Sequence, residues 1–176
     1  MKVTPAKSEA QKYRQVRYLT VKRMNLRVLN PGNQDKYGHW WIEFGDPYDP
    51  TSESYGWWPK QRVGVGETLT GVEGELNATS RMDSCFIDES GLAFRDPHHG
   101  DPADTHFHPL VPINDTRSDS EIADCIRQRA RKFTGTWQWV FEAGQNCHTF
   151  QLELLRRCGL IEPPEEKSRI HSFKYA

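Results

Sequence analysis

The positions of hydrophobic and polar residues follow two different periods along the chain. In the first third, apolar residues alternate with polar ones, which predicts strands over 16–29, 38–44 and 54–58. We expect the second and third of these strands to pair as an antiparallel hairpin with a long loop. In the last third, the apolar residues have helical spacing, which predicts helices over about 120–133 and 147–158.

The middle of the chain has a weaker pattern. Residues 60–95 are rich in glycine, and short apolar groups within them predict strands near 63–65, 84–87 and 92–95. The segment 106–112 contains two prolines, which restrict it to the edge of a sheet.

The order of these elements predicts the fold class. Strands fill the first two thirds and helices the last third, with no internal repeat and no linker between them. This order predicts one α+β domain, in which an antiparallel sheet packs against helices. We expect residues 1–15 to form a leader and residues 162–176 a charged tail.

Composition and charge exclude several classes of protein. The chain has 176 residues with 23 basic and 24 acidic side chains, so its formal net charge is -1. A protein that binds nucleic acid by neutralising phosphates carries a basic excess, so no nucleic-acid partner is expected. The sequence has no run of about 18 apolar residues, which argues against membrane insertion. Its polar start also lacks the apolar segment of a secretory signal.

The four cysteines carry different expectations. They lie at positions 85, 125, 147 and 158 without a CxxC pair, so neither a zinc ribbon nor a disulfide scaffold is predicted. Cys125 and Cys158 fall on the apolar faces of the two predicted helices, and we expect both to be inert core residues.

Cys147 differs from the other cysteines because it starts a helix. Asn146 is the natural N-cap, which places Cys147 in the first turn. There the unpaired backbone amides and the helix dipole favour a thiolate. A thiolate with a base nearby is what a cysteine nucleophile requires. The alternative interpretation is a small apolar residue at a helix start.

The candidate base is His39, which lies on a predicted strand directly after Gly38. An imidazole is the usual base for a thiol because it titrates near neutrality. A single histidine on a strand is also often structural. The combination of this histidine with a later helix-start cysteine is more informative than either residue alone.

These two segments together resemble the circularly permuted papain-like superfamily, which includes NlpC-like bacterial hydrolases, the lecithin:retinol acyltransferase group and the desumoylating isopeptidases. Residues 146–150 (Asn-Cys-His-Thr-Phe) are similar to the Asn-Cys-x-x-Phe helix start of those groups. Residues 38–43 are similar to their histidine strand, and 55–58 occupy the next strand. Ordinary papain-like enzymes place the cysteine before the histidine. The resemblance covers about 37–159 and implies a permuted papain-like fold for a single domain of residues 1–176.

The resemblance also implies roles for individual residues. Cys147 would be the nucleophile and His39 the general base. In the family, a third residue from the strand after the histidine strand orients the imidazole. Glu53 is the acidic candidate for that role, and Ser54 and Tyr55 are weaker ones. Neither a cofactor nor a metal is implied.

By the same resemblance, we expect a cysteine peptidase or amidase. The Cys147 backbone amide would stabilise the oxyanion, with Gln145 as a possible second donor. In a bacterial setting the resemblance implies peptidoglycan stem peptides as substrate, and a small domain of this kind is similar to the antibacterial amidase toxins of type VI secretion. Such a toxin is made in the cytoplasm without a signal peptide, reaches the target-cell periplasm by a signal-independent route, and is paired with a cognate immunity protein.

Several alternatives remain open at this point. The same fold carries acyltransferases, deamidases and enzymes that remove ubiquitin-like modifiers. The tryptophans at 40–41, 57–58 and 137–139 would either pack in the core or line the cleft of a non-catalytic module that binds glycan or protein. The segment 60–105 has no counterpart in those groups and would shape substrate choice. Segment 96–108 holds four histidines and three aspartates, which suit a metal-dependent hydrolase, a solvated loop or a cleft rim.

Overall fold

The computed structural model describes residues 12–25, 38–139 and 144–164. The end of the strand predicted over 16–29 and most of the predicted leader and tail lie outside these residues. The described strands are β1 (Tyr13–Gln15), β2 (Leu19–Asn25), β3 (Gly38–Phe44), β4 (Ser54–Pro59), β5 (Val72–Leu76), β6 (Thr105–Phe107), β7 (Leu110–Pro112) and β8 (Thr136–Trp137). The described helices are α1 (Val65–Thr70), α2 (Asp119–Arg131) and α3 (Cys147–Arg157), with single 3-10 turns at Thr79–Arg81 and Ser84–Phe86.

Most of the strands join one antiparallel sheet. Within the described residues its order is β6-β2-β3-β4-β5-β8, and β1 pairs separately with β7. Val21 faces Ile42, and Ile42 faces Tyr55, so alternate residues of the three central strands form one buried apolar face. The predicted α+β class with an antiparallel sheet is confirmed, and both predicted helices are present.

Helix α3 packs on the buried face of β3 and β4 and is itself covered by α2. Its inward residues Phe150, Leu154 and Leu155 are buried. The Phe150 ring lies edge-on to Phe133, with 4.9 Å between ring centroids, and stacks 5.8 Å from Trp57. Each buried side chain of this kind contributes about 1.5–3 kcal/mol. This packing fixes the start of α3 relative to the strand that carries His39.

The strands predicted in the described middle segment at 63–65, 84–87 and 92–95 were wrong. Gly64 is instead the N-cap of α1, because the Glu67 carboxylate accepts a hydrogen bond from the Gly64 amide at 3.0 Å. Residues 84–87 form a helical turn, and an isolated bridge is their only strand-like contact with 92–95 among the described pairings.

The predicted edge segment 106–112 is divided in two. Pro109 lies between β6 and β7, where a residue without a backbone N–H interrupts the pairing. β6 pairs with β2 at the edge of the described sheet, which agrees with the predicted edge position.

The expectation that Cys125 and Cys158 are inert core thiols was wrong. They form a disulfide that joins α2 to the end of α3, with their Cα atoms 5.9 Å apart. Each cysteine does face inward, as its helical position predicts. However, only the packing of the two helices shows that the two inward faces meet at these positions.

Candidate active site

The start of α3 is built by its N-cap. The Asn146 side-chain oxygen accepts hydrogen bonds from the amides of His148 (3.0 Å) and Thr149 (3.1 Å), and the Thr149 hydroxyl accepts one from the Asn146 amide (2.8 Å). Cys147 is therefore the first residue of the helix, as predicted, and it is half-buried. The cap does not use the Cys147 amide, which stays at the positive end of the helix dipole.

His39 lies at the start of β3, next to this helix end. The Cys147 Sγ is 3.5 Å from the Gly38 carbonyl oxygen, so the thiol lies beside the residue that precedes His39, and the Cys147 side chain is close enough to raise the pKa of His39. His39 Nε2 contacts Asp96, so Nδ1 is the ring nitrogen that remains for the sulfur. The structure thus brings together the two residues predicted as nucleophile and base.

Asp96 completes the arrangement from the opposite side of the imidazole. Its Oδ2 lies 3.0 Å from His39 Nε2 and accepts a hydrogen bond from Trp58 Nε1 at 2.7 Å. Its Oδ1 accepts from the His98 amide at 2.9 Å, and its own amide donates to the Ser54 hydroxyl at 2.8 Å. The carboxylate has no exposed surface, so these contacts fix both its position and its charge.

The electrostatics favour an ion pair between Asp96 and His39. Burial alone would lower the pKa of His39, but the Asp96 carboxylate, through its charge and hydrogen bond, and the neighbouring Cys147 raise it to about 10. Burial likewise opposes ionisation of Asp96, yet the His39 charge and the hydrogen bonds of His39, Trp58 and the His98 amide hold its pKa below the usual value. His39 is therefore an imidazolium at neutral pH.

Gly56 makes room for this pair. A Cβ atom on Gly56 would lie 2.0 Å from Asp96 Oδ2 and 3.0 Å from His39 Nε2. Any other residue at this position of β4 would displace the carboxylate from the imidazole.

The structure places Glu53 away from His39, so it corrects the expectation that Glu53 orients the imidazole. The Glu53 carboxylate accepts a hydrogen bond from the Tyr55 hydroxyl at 2.6 Å and pairs with Arg127 Nε at 2.8 Å. The pairing of Ile42 with Tyr55 explains this position. Side chains alternate between the two faces of a strand, so Glu53 shares the face of Tyr55 and Ile42, whereas His39 points to the other face.

The two weaker candidates for the third residue also have other contacts. The Ser54 hydroxyl accepts a hydrogen bond from the Asp96 amide and so supports the Asp96–His39 pair indirectly. The Tyr55 hydroxyl donates its hydrogen bond to Glu53. Gln145, the suggested second oxyanion donor, lies with its side chain against Gly135, where a Cβ would be 2.0 Å from its Oε1.

Asn77 is a residue of the candidate site that no sequence pattern indicated. It is fully buried and has a left-handed backbone, with φ of 53°. Its side-chain oxygen accepts from the Gly56 amide, and its side-chain nitrogen donates to the carbonyls of Ser54 and Ala93, each at 2.8 Å. Asn77 thus joins β4 to the segment that leads directly into Asp96.

Three of the four histidines of segment 96–108 are held by separate partners. His98 Nδ1 is 2.9 Å from Asp101, His99 Nε2 is 2.9 Å from the Ser52 hydroxyl, and His108 Nδ1 is 2.8 Å from a backbone carbonyl. Within the described ranges, no three histidine, cysteine or acidic side chains are grouped as metal ligands would be. The His98 ring also lies next to the imidazole of His39, with 5.4 Å between the ring centroids.

His148 follows Cys147 in the sequence but takes no part in the group formed by Cys147, His39 and Asp96. Its ring packs 4.0 Å from the ring of Trp40, away from His39. Burial, with the charge of Arg23, lowers the pKa of His148 to about 4, so it is neutral at physiological pH.

The tryptophan pairs divide between core and site. Trp40, Trp41 and Trp57 are buried, which supports the interpretation of these residues as core packing. Trp58 is partly exposed, and its ring centroid is 4.2 Å from that of His39. It therefore forms a wall of the site as well as a hydrogen-bond donor to it.

In comparisons with known proteins, no family model matches the sequence, and neither a curated protein nor a solved structure matches it significantly. Among the residues that the structure describes, no helix has the length and apolar character needed to cross a membrane. The function of the protein must therefore be inferred from the geometry of Cys147, His39 and Asp96.

Proposed function

We propose that this protein is a cysteine hydrolase that cleaves amide bonds, with Cys147 as nucleophile, His39 as acid and base, and Asp96 as the residue that orients His39. The observation that carries the proposal is the grouping of the three side chains: the His39 imidazole is 3.0 Å from the buried Asp96 carboxylate, and the Cys147 thiol lies beside it, with Sγ 3.5 Å from the Gly38 carbonyl oxygen. A nucleophile, a base and an orienting group within hydrogen-bond reach define this class of site.

The reaction follows from these contacts. The Cys147 thiolate attacks the carbonyl carbon of the amide, and the Cys147 backbone amide at the start of α3 donates to the developing oxyanion. The His39 imidazolium then gives its proton to the leaving amine as the carbon–nitrogen bond breaks, which leaves a thioester. Water attacks the thioester with neutral His39 as base, and the acid product and the thiolate–imidazolium pair are regenerated.

Asp96 has a defined role in both steps. Its Oδ2 accepts a hydrogen bond from the Nε2–H of His39, which fixes the ring so that Nδ1 faces the sulfur. Because Asp96 is buried, its charge acts on the imidazole with little screening by water. Trp58 covers the pair and donates to the same carboxylate oxygen, so it keeps Asp96 in place.

The substrate that we propose is the peptide portion of peptidoglycan. The support is the resemblance of the segments around His39 and Cys147 to NlpC-like hydrolases, together with the partly exposed Trp58 at the site, which suits a substrate with sugar and peptide parts. On this proposal the protein is an antibacterial effector that acts in the periplasm of a target cell. A cognate immunity protein would then protect the producing cell.

Alkylation of Cys147 tests the catalytic proposal. The purified protein is treated with iodoacetamide between pH 5 and 9, and the modified cysteine is mapped by mass spectrometry. We expect Cys147 to react below pH 7 at least tenfold faster than Cys85, an exposed free thiol in the same chain. His39→Ala should remove the difference. Equal rates for the two cysteines in the wild type would overturn the proposal and favour a binding module.

The substrate is tested separately with purified peptidoglycan. Release of new amino groups by the wild type, and not by Cys147→Ala, supports hydrolysis of stem peptides. If Cys147 is reactive and peptidoglycan is not cleaved, the substrate proposal fails while the catalytic one stands. Mass analysis of amide and acyl-acceptor products would then separate deamidase, isopeptidase and acyltransferase activity.

A further inference from the structure

A covalent bond closes the part of the chain that carries the proposed nucleophile. The Cys125–Cys158 disulfide spans 33 residues of sequence, and that span includes β8 and the whole of α3. Cys147 therefore lies inside the closed loop. The bond holds α3 to α2 at the end of α3 opposite the proposed active site.

The positions of the cysteines make this pairing selective. Cys147 is the first residue of α3, whereas Cys158 directly follows its last turn. At 1.5 Å of rise per residue these two residues are about 16 Å apart, which is too far for a disulfide. Oxidation of Cys125 and Cys158 therefore leaves Cys147 available as a thiol.

One side of the bond is accessible to small reagents. Cys158 is buried, but Cys125 is only partly buried and lines a surface cavity together with Asp124, Gln128 and Arg129 of α2. A small thiol or disulfide reagent can reach the Cys125 sulfur from this cavity.

We propose that the Cys125–Cys158 pair is an oxidative modification site whose bond restrains α3, so that the enzyme is fully stable only outside a reducing compartment. This inference rests on the proposed function, because it assigns the restraint to the helix that carries Cys147. The two thiols lose two electrons and two protons to a disulfide oxidant of the glutathione class, which leaves as two thiols.

The physical basis is the entropy of the unfolded chain. A cross-link across 33 residues removes many conformations of the unfolded loop and so favours the folded state. Disulfides persist in the periplasm and outside cells but not in the cytosol. The chain would therefore be less stable where it is synthesised and more stable where an exported hydrolase acts.

The first measurement establishes the oxidised state. Full-length protein treated with oxidised glutathione is digested without reduction, and the linked peptide containing Cys125 and Cys158 is sought by mass spectrometry. We expect the linked peptide, together with faster modification of Cys147 than of Cys85, by glutathione or by iodoacetamide. If all four cysteines remain free, the inference is wrong. If the linked peptide forms but Cys147 is no more reactive than Cys85, the proposed function fails.

The second measurement compares oxidised and reduced protein. The reductant is a phosphine, removed under argon before alkylation. We expect reduction to lower the midpoint of thermal unfolding by about 10 °C. At a temperature between the two midpoints, the ratio of Cys147 to Cys85 alkylation should fall to that of two free thiols. An unchanged midpoint and ratio after reduction would overturn the inference and leave the proposed function intact.

A double variant, Cys125→Ala with Cys158→Ala, is the matched control. It keeps Cys147 and Cys85 and lacks only the bond, so it should behave like reduced wild type with or without the reductant. If the reductant lowers the midpoint of this variant as well, the effect does not pass through the disulfide and the inference is refuted.

Discussion

Replacement of Asp96 by asparagine separates the charge of the proposed triad from its shape. The side chain keeps its size and one oxygen, which can accept either from the His98 amide, as Oδ1 does, or from Trp58 Nε1, as Oδ2 does. What disappears is the negative charge that faces His39 Nε2 at 3.0 Å. Asp96→Asn therefore tests whether that charge keeps the imidazole protonated.

The expected size of the effect follows from the causes of the His39 pKa. Burial is the largest influence and lowers it, and Asp96 contributes more than Cys147 to the net rise to about 10. Without the carboxylate, we expect the pKa of His39 to fall to about 6.5 or lower. At pH 7.5 the protonated fraction then drops from about 99% to about 10% or less. The alkylation rate of Cys147 should fall by about tenfold, and amide hydrolysis by about 10²–10⁴-fold.

The same change has a consequence for stability. Because folding raises the pKa of His39, its stabilising contribution is complete below about pH 6.5 and is lost as the pH rises through about 10. Wild-type stability should therefore decline across this range. In Asp96→Asn that decline should be absent, since the folded and unfolded pKa values of His39 become similar.

Iodoacetamide rates between pH 5 and 10, with thermal unfolding over the same range, measure both effects. The matched control is Asp101→Asn, which removes an equivalent charge from His98 in the same segment but not from His39. It should leave the rate profile of Cys147 in place. If Asp96→Asn and Asp101→Asn give the same profile as the wild type, Asp96 does not act on the imidazole and the reasoning is refuted.

Three further substitutions and one control variant test the surroundings of the proposed triad. Gly56→Ala places a methyl group 2.0 Å from the Asp96 carboxylate, so we expect a loss of about 1–3 kcal/mol in unfolding experiments and of most hydrolysis. Gly66→Ala, which meets nothing within 4 Å, should retain both. Glu53→Gln weakens the Arg127 pair and should lower the unfolding midpoint by about 2–4 °C without moving the pH profile; a moved profile would return Glu53 to the site. Asn146→Ala removes the cap of α3 and should cost about 1 kcal/mol in urea unfolding; no loss would contradict the capping argument.

The parts of the fold that sequence could predict are those decided by near neighbours. Alternation along β3 and helical spacing along α3 depend on residues within a few positions of each other. The same is true of the Asn146 cap, which fixes Cys147 at a helix start through contacts one to three residues away. For this reason the nucleophile and the base could both be proposed from short segments.

The third residue could not be predicted in this way. Asp96 lies 57 positions from His39, in a segment whose path depends on the fold of everything between them. The histidines and aspartates around Asp96 suit metal ligands, so the sequence indicated a different role for this segment. Glu53 was chosen because it precedes the next strand, but the two-residue period of that strand turns it to the opposite face.

The proposed active site therefore depends on elements that pack on both faces of one sheet. On one face, α3 brings Cys147 to the end of β3, and the disulfide holds that helix to α2. On the other face, the long segment between β4 and β6 brings Asp96 to His39, and Asn77 ties that segment to β4. Residues 60–105, which are predicted to shape substrate choice, thus also have a structural role, because without them the His39 imidazole would lack the Asp96 carboxylate. His39 keeps its raised pKa only when both α3 and this segment are in place, so loosening either one should change the reactivity of Cys147.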